Sequence, residues 1–229
     1  MQEVEVYGEL KNMRKDMLVI DEVYHVFNKS IAGFTIFNNA CEYSRMLQVI
    51  QYYQRNKPSL RFSKFIQVPI VQASDINNHV KEKLVEIIAY CLMPTHIHLI
   101  LKQLKEKGIS IFMSNILNSC TRYFNIRHKR KGPLWEGRFK NVLVDSDEQL
   151  LHLTRYIHLN TVTAYLVEKP EDWQESSYRE YLLESDNNNR ICKYNNILDI
   201  TPNSYRRFVE DQISYQRELS KIKDLLIDC

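Results

Sequence analysis

Two histidines separated by one residue are the first candidates for chemistry. His96 and His98 lie in an apolar stretch, HIHLILK, that has the composition of a β-strand. Residues two apart on a strand point to the same face, so both imidazoles project together. A neutral imidazole pair at this spacing suits a divalent metal ion. The alternative is a pair of histidines on a solvated strand face.

A second group of polar residues shares one face of a predicted helix. Asp145-Ser146-Asp147 forms a capping signal, and the helix runs from about 148 to 160. His152, Tyr156 and Asn160 recur in it at intervals of four residues, which places them on one face. A tyrosine can act as a covalent nucleophile if a metal or base activates the group that it attacks. The alternative is that these residues only border the apolar stripe of the helix.

Residues 122–140 concentrate positive charge in a chain whose net charge is only +3. The segment carries seven Lys and Arg residues against one acid, Glu136, and aromatic residues are interleaved with them. Cations for phosphates and flat rings for bases are typical of single-strand binding, whereas the alternative is a solvated helix end and loop. The candidate DNA-binding residues are Arg122, Tyr123, Arg127, Lys129, Arg130, Lys131, Trp135, Arg138 and Lys140.

The elements that must position these residues follow the order β-α-β-β-α-β-α. The first six match the split βαβ pattern, which predicts an α+β, ferredoxin-like (RRM-like) antiparallel sheet followed by an extra helix. We expect residues 1–185 to form the main domain, with a core at about 22–182, and residues 186–229 to form a helical C-terminal appendage. In this order the predicted strands are 23–28, 84–92, 96–102 and 139–144, and Met93-Pro94-Thr95 breaks the apolar pattern between the second and the third. The predicted helices are 40–54, with Asn39 as its cap, 109–128 and 148–160. An insertion after the first helix, at 55–83, is expected to hold a strand at 62–68 and a helix at 74–83, and the appendage is expected to hold a helix at 204–226.

Composition excludes several classes of protein. The 229 residues include only 5 glycines, and neither GxGxxG nor GxxxxGK[ST] occurs, so the common phosphate-cradling loops are absent. The five cysteines are scattered without a CxxC pair, which argues against a zinc knuckle. There is no run of 18 apolar residues. We therefore expect a cytoplasmic protein with reduced thiols and no membrane partner.

Three motifs in order resemble the HUH-superfamily single-tyrosine transposases, and in particular the REP-associated, IS200-like group. They are AYCLMPTHIHLIL, SCTRYFNIRHKRKGPLWEGRFK and LTRYIHLN, and the resemblance covers about residues 22–182. It implies a ferredoxin-like fold and metal-dependent cleavage and rejoining of single-stranded DNA at hairpins. Relatives in this family occur as monomers and as homodimers with exchanged catalytic helices.

The same resemblance implies a role for each candidate residue. His96, His98 and Asn160 take the places of the ligands to Mg²⁺ or Mn²⁺, and Tyr156 takes the place of the nucleophile that forms a 5′-phosphotyrosine intermediate. His152 is an auxiliary candidate for DNA binding or proton transfer.

The chain also departs from the family pattern. Thr95 stands where Asn is common, and Asn160-Thr-Val-Thr-Ala164 replaces Asn-Pro-Val-Arg-Ala. We expect the missing Pro to let the helix continue beyond Asn160, and the missing Arg to weaken a DNA contact. Two alternative functions stay open: a catalytically silent or domesticated nucleic-acid-binding protein on the same fold, and a metal-dependent hydrolase of small substrates that uses the two histidines alone.

Overall fold

A computed structural model describes residues 17–56, 58, 60–68, 82–183, 190–194, 198 and 200–227. Its strands form a four-stranded antiparallel sheet in the order β2-β3-β1-β4. The strands are β1 (Val23–Lys29), β2 (Val85–Met93), β3 (His96–Gln103) and β4 (Lys140–Leu143). The helices are α1 (Ala40–Tyr53), α2 (Phe62–Phe65), α3 (Gly108–Arg127), α4 (Asp147–Thr163), α5 (Tyr178–Tyr181), α6 (Pro202–Glu210) and α7 (Ile213–Ile227).

This topology confirms the predicted α+β, ferredoxin-like fold. The main elements follow the order β1-α1-β2-β3-α3-β4-α4, and β1 lies between β3 and β4. Pro94 and Thr95 alone connect β2 to β3, as the break in the apolar pattern predicted. His96 is the first residue of β3 and His98 is the third, so the two histidines lie in the sheet directly after the turn.

The two faces of the sheet differ in burial. Tyr24 and Val26 of β1 are completely buried, on the face that α1 and α3 cover with their apolar stripes. His25 and Phe27 alternate with them and are only partly buried on the opposite face. Helix α4 crosses this second face, since Tyr156 meets the ring of His98 there. The candidate residues are therefore on the side of the sheet away from the main core.

The starts of two helices follow their predicted caps. The Asn39 side chain accepts a hydrogen bond from the Glu42 amide at the start of α1. The Ser146 hydroxyl accepts one from the Gln149 amide at the start of α4. Helix α4 continues to Thr163, beyond Asn160, as expected from the absence of proline after that residue.

Two sequence predictions were wrong. The segment 62–68 is not a strand: it contains the short helix α2, which places Phe62 and Phe65, three residues apart, against the ring of Tyr52. The single helix predicted at 204–226 is two helices, interrupted at Asp211. Tyr205 and Val209 of the first helix are buried in the core, and α7 begins at Ile213.

Other predictions lie outside the described residues or are not tested. The predicted helix 74–83 falls on residues that are not described, apart from its end, where Lys83 forms a β-bridge with Arg55. The division at residue 186 stays a prediction. None of the helices within the described ranges is both long and apolar enough to span a membrane. Four of the cysteines, Cys41, Cys91, Cys120 and Cys192, are free thiols.

A buried hydrogen-bond network ties α4 to α6. His158 is fully buried, with Nε2 2.7 Å from the Ser177 Oγ and Nδ1 2.7 Å from the Tyr205 hydroxyl. Because the Ser177 hydroxyl donates to the Tyr90 carbonyl, it accepts from His158 Nε2, and Nδ1 in turn accepts from Tyr205. Burial lowers the pKa of His158 to about 3, so the ring is neutral.

Replacement of Tyr205 by phenylalanine is expected to destabilise the protein by about 1–3 kcal/mol, because a buried nitrogen of His158 loses its donor. The free energy of unfolding measured in urea checks this. Tyr215→Phe, at a tyrosine that is 58% exposed, is the matched control and is expected to change little. Equal stability of the two variants would contradict the network.

Candidate active site

An open cavity of about 250 Å³ brings the four principal candidate residues together. His96 and His98 enter it from β3, and Tyr156 and Asn160 enter it from α4. All four belong to one chain, so Tyr156 lies beside the histidine pair of its own chain. The other lining residues are Met93, Thr163, Ala164, Gln216, Leu219 and Ser220.

Each histidine of the pair is held through its Nδ1 atom. His98 Nδ1 lies 3.0 Å from His25 Nε2, and the two rings stack with centroids 5.2 Å apart. His96 Nδ1 lies 2.9 Å from the Thr95 hydroxyl. Thr95, one of the departures from the family pattern, therefore orients the first histidine. In both rings Nε2 is the remaining nitrogen, which a ligand in the cavity can approach.

The three histidines of this face are neutral. Burial, with the nearby His25 and His96, lowers the pKa of His98 to about 3. Burial lowers the pKa of His25 to about 4, and burial together with the charge of Lys29 lowers the pKa of His96. A metal ion binds the neutral imidazole, so the site holds these side chains in the form that ligation requires.

Tyr156 is the accessible member of the group. Its side chain is 43% exposed, and its ring meets the ring of His98 edge-on with centroids 6.1 Å apart and an interplanar angle of 89°. Partial burial raises the pKa of the phenol. The hydroxyl is therefore protonated at neutral pH and must lose its proton when it acts as a nucleophile.

Asn160 has an incomplete set of partners. The buried Nδ2 atom of its side chain makes no hydrogen bond within the described part of the protein. Oxygen and nitrogen of a side-chain amide are assigned from their partners, so the buried unpaired atom can equally be the oxygen. A buried polar atom without a hydrogen-bond partner destabilises the protein, so we expect a group bound in the cavity to act as the partner of this atom.

These residues fit a divalent metal ion. Two neutral imidazoles and an amide oxygen are a donor set for such an ion, and the open cavity leaves further positions for water or phosphate. No group of three His, Cys, Asp or Glu side chains suited to a metal occurs among the described residues. The third donor of this set is the side-chain amide of Asn160, which lines the same cavity.

His152 does not reach the cavity. Its Nδ1 lies 2.8 Å from an Arg155 guanidinium nitrogen, and its ring packs edge-on against Phe208 of α6. The regular i, i+4 spacing does not bring all three residues to one site, because α6 covers the start of that face. An auxiliary role for His152 gains no support from its position.

The basic segment divides into exposed and structural residues. Arg127 pairs with the buried Glu42 at 3.5 Å, and Arg130 donates to the carbonyl of Pro133. Trp135 is only 8% exposed and donates to the Leu117 carbonyl, so it anchors the loop and offers little ring surface to a base. Tyr123 is partly buried beneath the Arg45 guanidinium. Arg127 is exposed but tied to Glu42, and the other exposed candidates are Arg122, Lys129, Lys131, Arg138 and Lys140.

Sequence reasoning missed several residues of the site. His25 and Lys29 lie on β1 directly beside β3, with Lys29 opposite His96 in the register. Gln216 and Ser220 reach the cavity from α7. The only sequence signal for His25 was that it is a third histidine on a strand of alternating pattern. The pairing register between two strands that are distant in the chain cannot be deduced from the sequence of either strand alone.

Residues 71–160 match the model of the family described as transposase IS200 like. The chain resembles this transposase family. The match includes His96, His98, Tyr156 and Asn160. It confirms the resemblance that the three motifs predicted.

A second similarity agrees with the match to the IS200-like family model. The chain is 33% identical over 104 residues to a Haemophilus influenzae protein that is assigned by name to the REP-associated tyrosine transposases. The aligned part is 41% of this chain and 58% of that relative, so the chain spans little more than half of the relative's length.

The fold also resembles a solved structure, described as a REP-associated tyrosine transposase bound to a REP hairpin. The TM-score is 0.50 at 14% sequence identity, and the alignment covers 83% of this chain and 96% of that one. At this identity the similarity concerns the fold, and it extends beyond residues 71–160 to most of the described elements.

Proposed function

We propose that this protein is a DNA transposase that cleaves and rejoins single-stranded DNA at hairpins through a 5′-phosphotyrosine intermediate. The observation that carries the proposal is the position of Tyr156, edge-on to His98 in a cavity that also holds His96 and Asn160. The transposase names of the IS200-like family and of the Haemophilus influenzae relative support it. The hairpin bound in the similar solved structure supports the choice of substrate.

Tyr156 provides the nucleophile. Its Oη forms a bond to the scissile phosphorus as the phenol proton departs, and the bond from phosphorus to the 3′ oxygen breaks. The 3′ oxygen takes up a proton and leaves as a hydroxyl, while the 5′ phosphate stays on the tyrosine. The energy of the phosphodiester bond is retained in this link, so a 3′ hydroxyl can reverse the step without ATP.

His96, His98 and Asn160 would hold Mg²⁺ or Mn²⁺. When bound, such an ion polarises a phosphoryl oxygen and stabilises the charge that develops on the leaving oxygen. The protein's own contribution is to keep both imidazoles neutral by burial and to fix their orientation through Thr95 and His25.

The DNA strand would follow the exposed cations of the basic segment. Arg122, Lys129, Lys131, Arg138 and Lys140 are exposed and can bind phosphates without breaking an internal contact shown for them. The four principal site residues belong to one chain. We therefore propose that each chain cleaves DNA with its own tyrosine.

The test is a covalent capture assay. The full chain is incubated with Mn²⁺ and a pool of DNA hairpins that carry single-stranded flanks, and protein–DNA adducts are resolved on a denaturing gel. We expect an adduct that requires Mn²⁺. Binding without an adduct would favour the catalytically silent binding protein. If no DNA binds, the metal-dependent hydrolase of small substrates becomes the favoured function.

The contact between His25 and His98 yields a separate prediction. His25→Ala is expected to weaken Mn²⁺ binding by roughly 10- to 100-fold, because the residue that orients a metal-binding histidine is removed. Titration of Mn²⁺ by electron paramagnetic resonance checks this without any activity assay. His152→Ala, outside the cavity, is the control. Equal Mn²⁺ affinities for both variants would contradict the orienting role.

A further inference from the structure

A strip of the sheet beside the candidate active site is left open by α4. Phe27 of β1 lies opposite His98 of β3 on one side and opposite Lys140 of β4 on the other. Residues directly opposite each other on paired strands project from the same face. His98, Phe27 and Lys140 therefore form a row across the sheet that spans two strand spacings, ~10 Å.

Phe27 presents a positioned aromatic ring in this row. Its centroid lies 5.0 Å from that of His25 and 5.9 Å from that of His98, with interplanar angles of 32° and 26°. The two imidazoles support the ring from the side of the candidate metal site. The ring also lines a small groove of about 90 Å³ on the side of β4, so it is not enclosed.

The groove carries positive charge around this ring. Lys29, Arg138 and Lys140 line it together with Phe27, and its other lining residues are Asn28, Glu136 and Gly137. The acid Glu136 lies 3.5 Å from Lys29, and both side chains are at least half exposed, at 50% and 61%. An exposed pair of this kind is weak, so a phosphate can replace the carboxylate as the partner of Lys29.

A cationic groove with an aromatic floor is a site for a single-stranded nucleotide. Here it adjoins the histidine pair directly, because Lys29 is the neighbour of His96 across the β1–β3 pair. A phosphate held at the histidines would have its adjacent nucleotide over this groove. The site for the scissile phosphate and the groove are therefore close enough to bind consecutive units of one strand.

We propose that the groove formed by Phe27, Lys29, Arg138 and Lys140 binds a nucleotide that flanks the scissile phosphate. Its base stacks on Phe27, and its phosphates contact Lys29 and Lys140. The inference rests on the proposed function and adds a base-binding residue that lies outside the basic segment 122–140. Stacking tolerates any base, so the groove would hold the strand while other contacts select the sequence.

Fluorescence of 2-aminopurine tests this directly. The probe is a DNA hairpin with a single-stranded oligo(dT) tail in which one 2-aminopurine is moved through successive positions. The protein is the full chain carrying Tyr156→Phe, so that the DNA is bound and not cut. We expect quenching at one or two adjacent positions. It should be lost, with about tenfold weaker binding, on adding Phe27→Ala, and be kept on adding Phe27→Tyr.

Two further variants test whether these effects come from the groove. Tyr215→Ala removes an exposed aromatic ring outside the groove and should leave quenching intact. Lys140→Ala removes an exposed cation and carries little risk to folding. We expect it to lower the slope of log affinity against log salt by about 0.7, the value for one lost phosphate contact on a single strand.

The proposal is overturned if adding Phe27→Ala to the Tyr156→Phe chain changes neither the quenching of 2-aminopurine nor the affinity for DNA. It is also overturned if Lys140→Ala keeps the full slope of log affinity against log salt. An adduct formed by the unaltered chain in either case would show that the groove is wrong while the transposase function stands. Absence of all DNA binding would overturn both.

Discussion

Tyr156→Phe is expected to abolish the covalent adduct between this protein and single-stranded DNA. The substitution removes only the phenolic oxygen, which is the atom that would bond to phosphorus, and keeps the ring that packs edge-on to His98. Loss of a nucleophile from a covalent mechanism lowers the rate by orders of magnitude, so we expect at least ~1,000-fold less adduct. Denaturing gels with end-labelled hairpin DNA measure it.

The control for this experiment is a tyrosine close to α4 in sequence that does not line the cavity. Tyr165 follows the end of α4 and is 54% exposed. Tyr165→Phe should form the adduct as the unaltered chain does. Tyr156→Phe should still bind the DNA, since its ring and the basic segment are intact. An adduct that persists in Tyr156→Phe would show that another residue is the nucleophile.

His98→Ala is expected to have the second largest effect. It removes one of the two imidazoles that face the cavity and also removes the partner of His25. If the site holds Mn²⁺, the loss of a ligand should reduce cleavage by roughly 100- to 1,000-fold and weaken Mn²⁺ binding in the same variant. Cleavage rates over a range of Mn²⁺ concentrations, together with a direct Mn²⁺ titration, measure both effects.

Substitutions at Asn160 sharpen this test. Asn160→Ala removes the only non-histidine donor that we assign, whereas Asn160→Asp keeps an oxygen at the same position. We expect the alanine variant to lose most Mn²⁺-dependent cleavage and the aspartate variant to keep a larger part of it. Full cleavage by His98→Ala without Mn²⁺ would exclude these residues as a metal site and would favour a different origin for the activity.

Local patterns in the sequence predicted most of the framework. The apolar residues of α3 recur with the helical period, and Ile109, Phe112, Met113 and Ile116 are all completely buried. Asn39 and Ser146 cap their helices as predicted. The alternation of β3 correctly places both of its histidines on one face. These features depend on neighbours within a few residues, so a single segment contains the information.

The same reasoning failed where a segment's pattern was weak or its burial depended on distant residues. The segment 62–68 has aromatic residues that suit a strand, but contacts with Tyr52 favour a helical turn. Trp135 has the residue type of a base-stacking platform, but the loop folds back on α3 and buries it. Exposure of a side chain is a property of the packed molecule, and residue type alone cannot decide it.

The candidate chemistry was determined by the sequence: an HxH strand, a tyrosine and an asparagine one helical turn apart, and a basic segment. Only the tertiary structure decided that β1 pairs with β3 in a register that places His25 against His98 and Phe27 beside it, and that α4 brings Tyr156 to the same cavity. Strand register and helix docking minimise the free energy of the whole core, so they depend on residues far apart in the chain. For that reason the ligand-bearing strand could be predicted, while the residues that orient and surround its histidines could not.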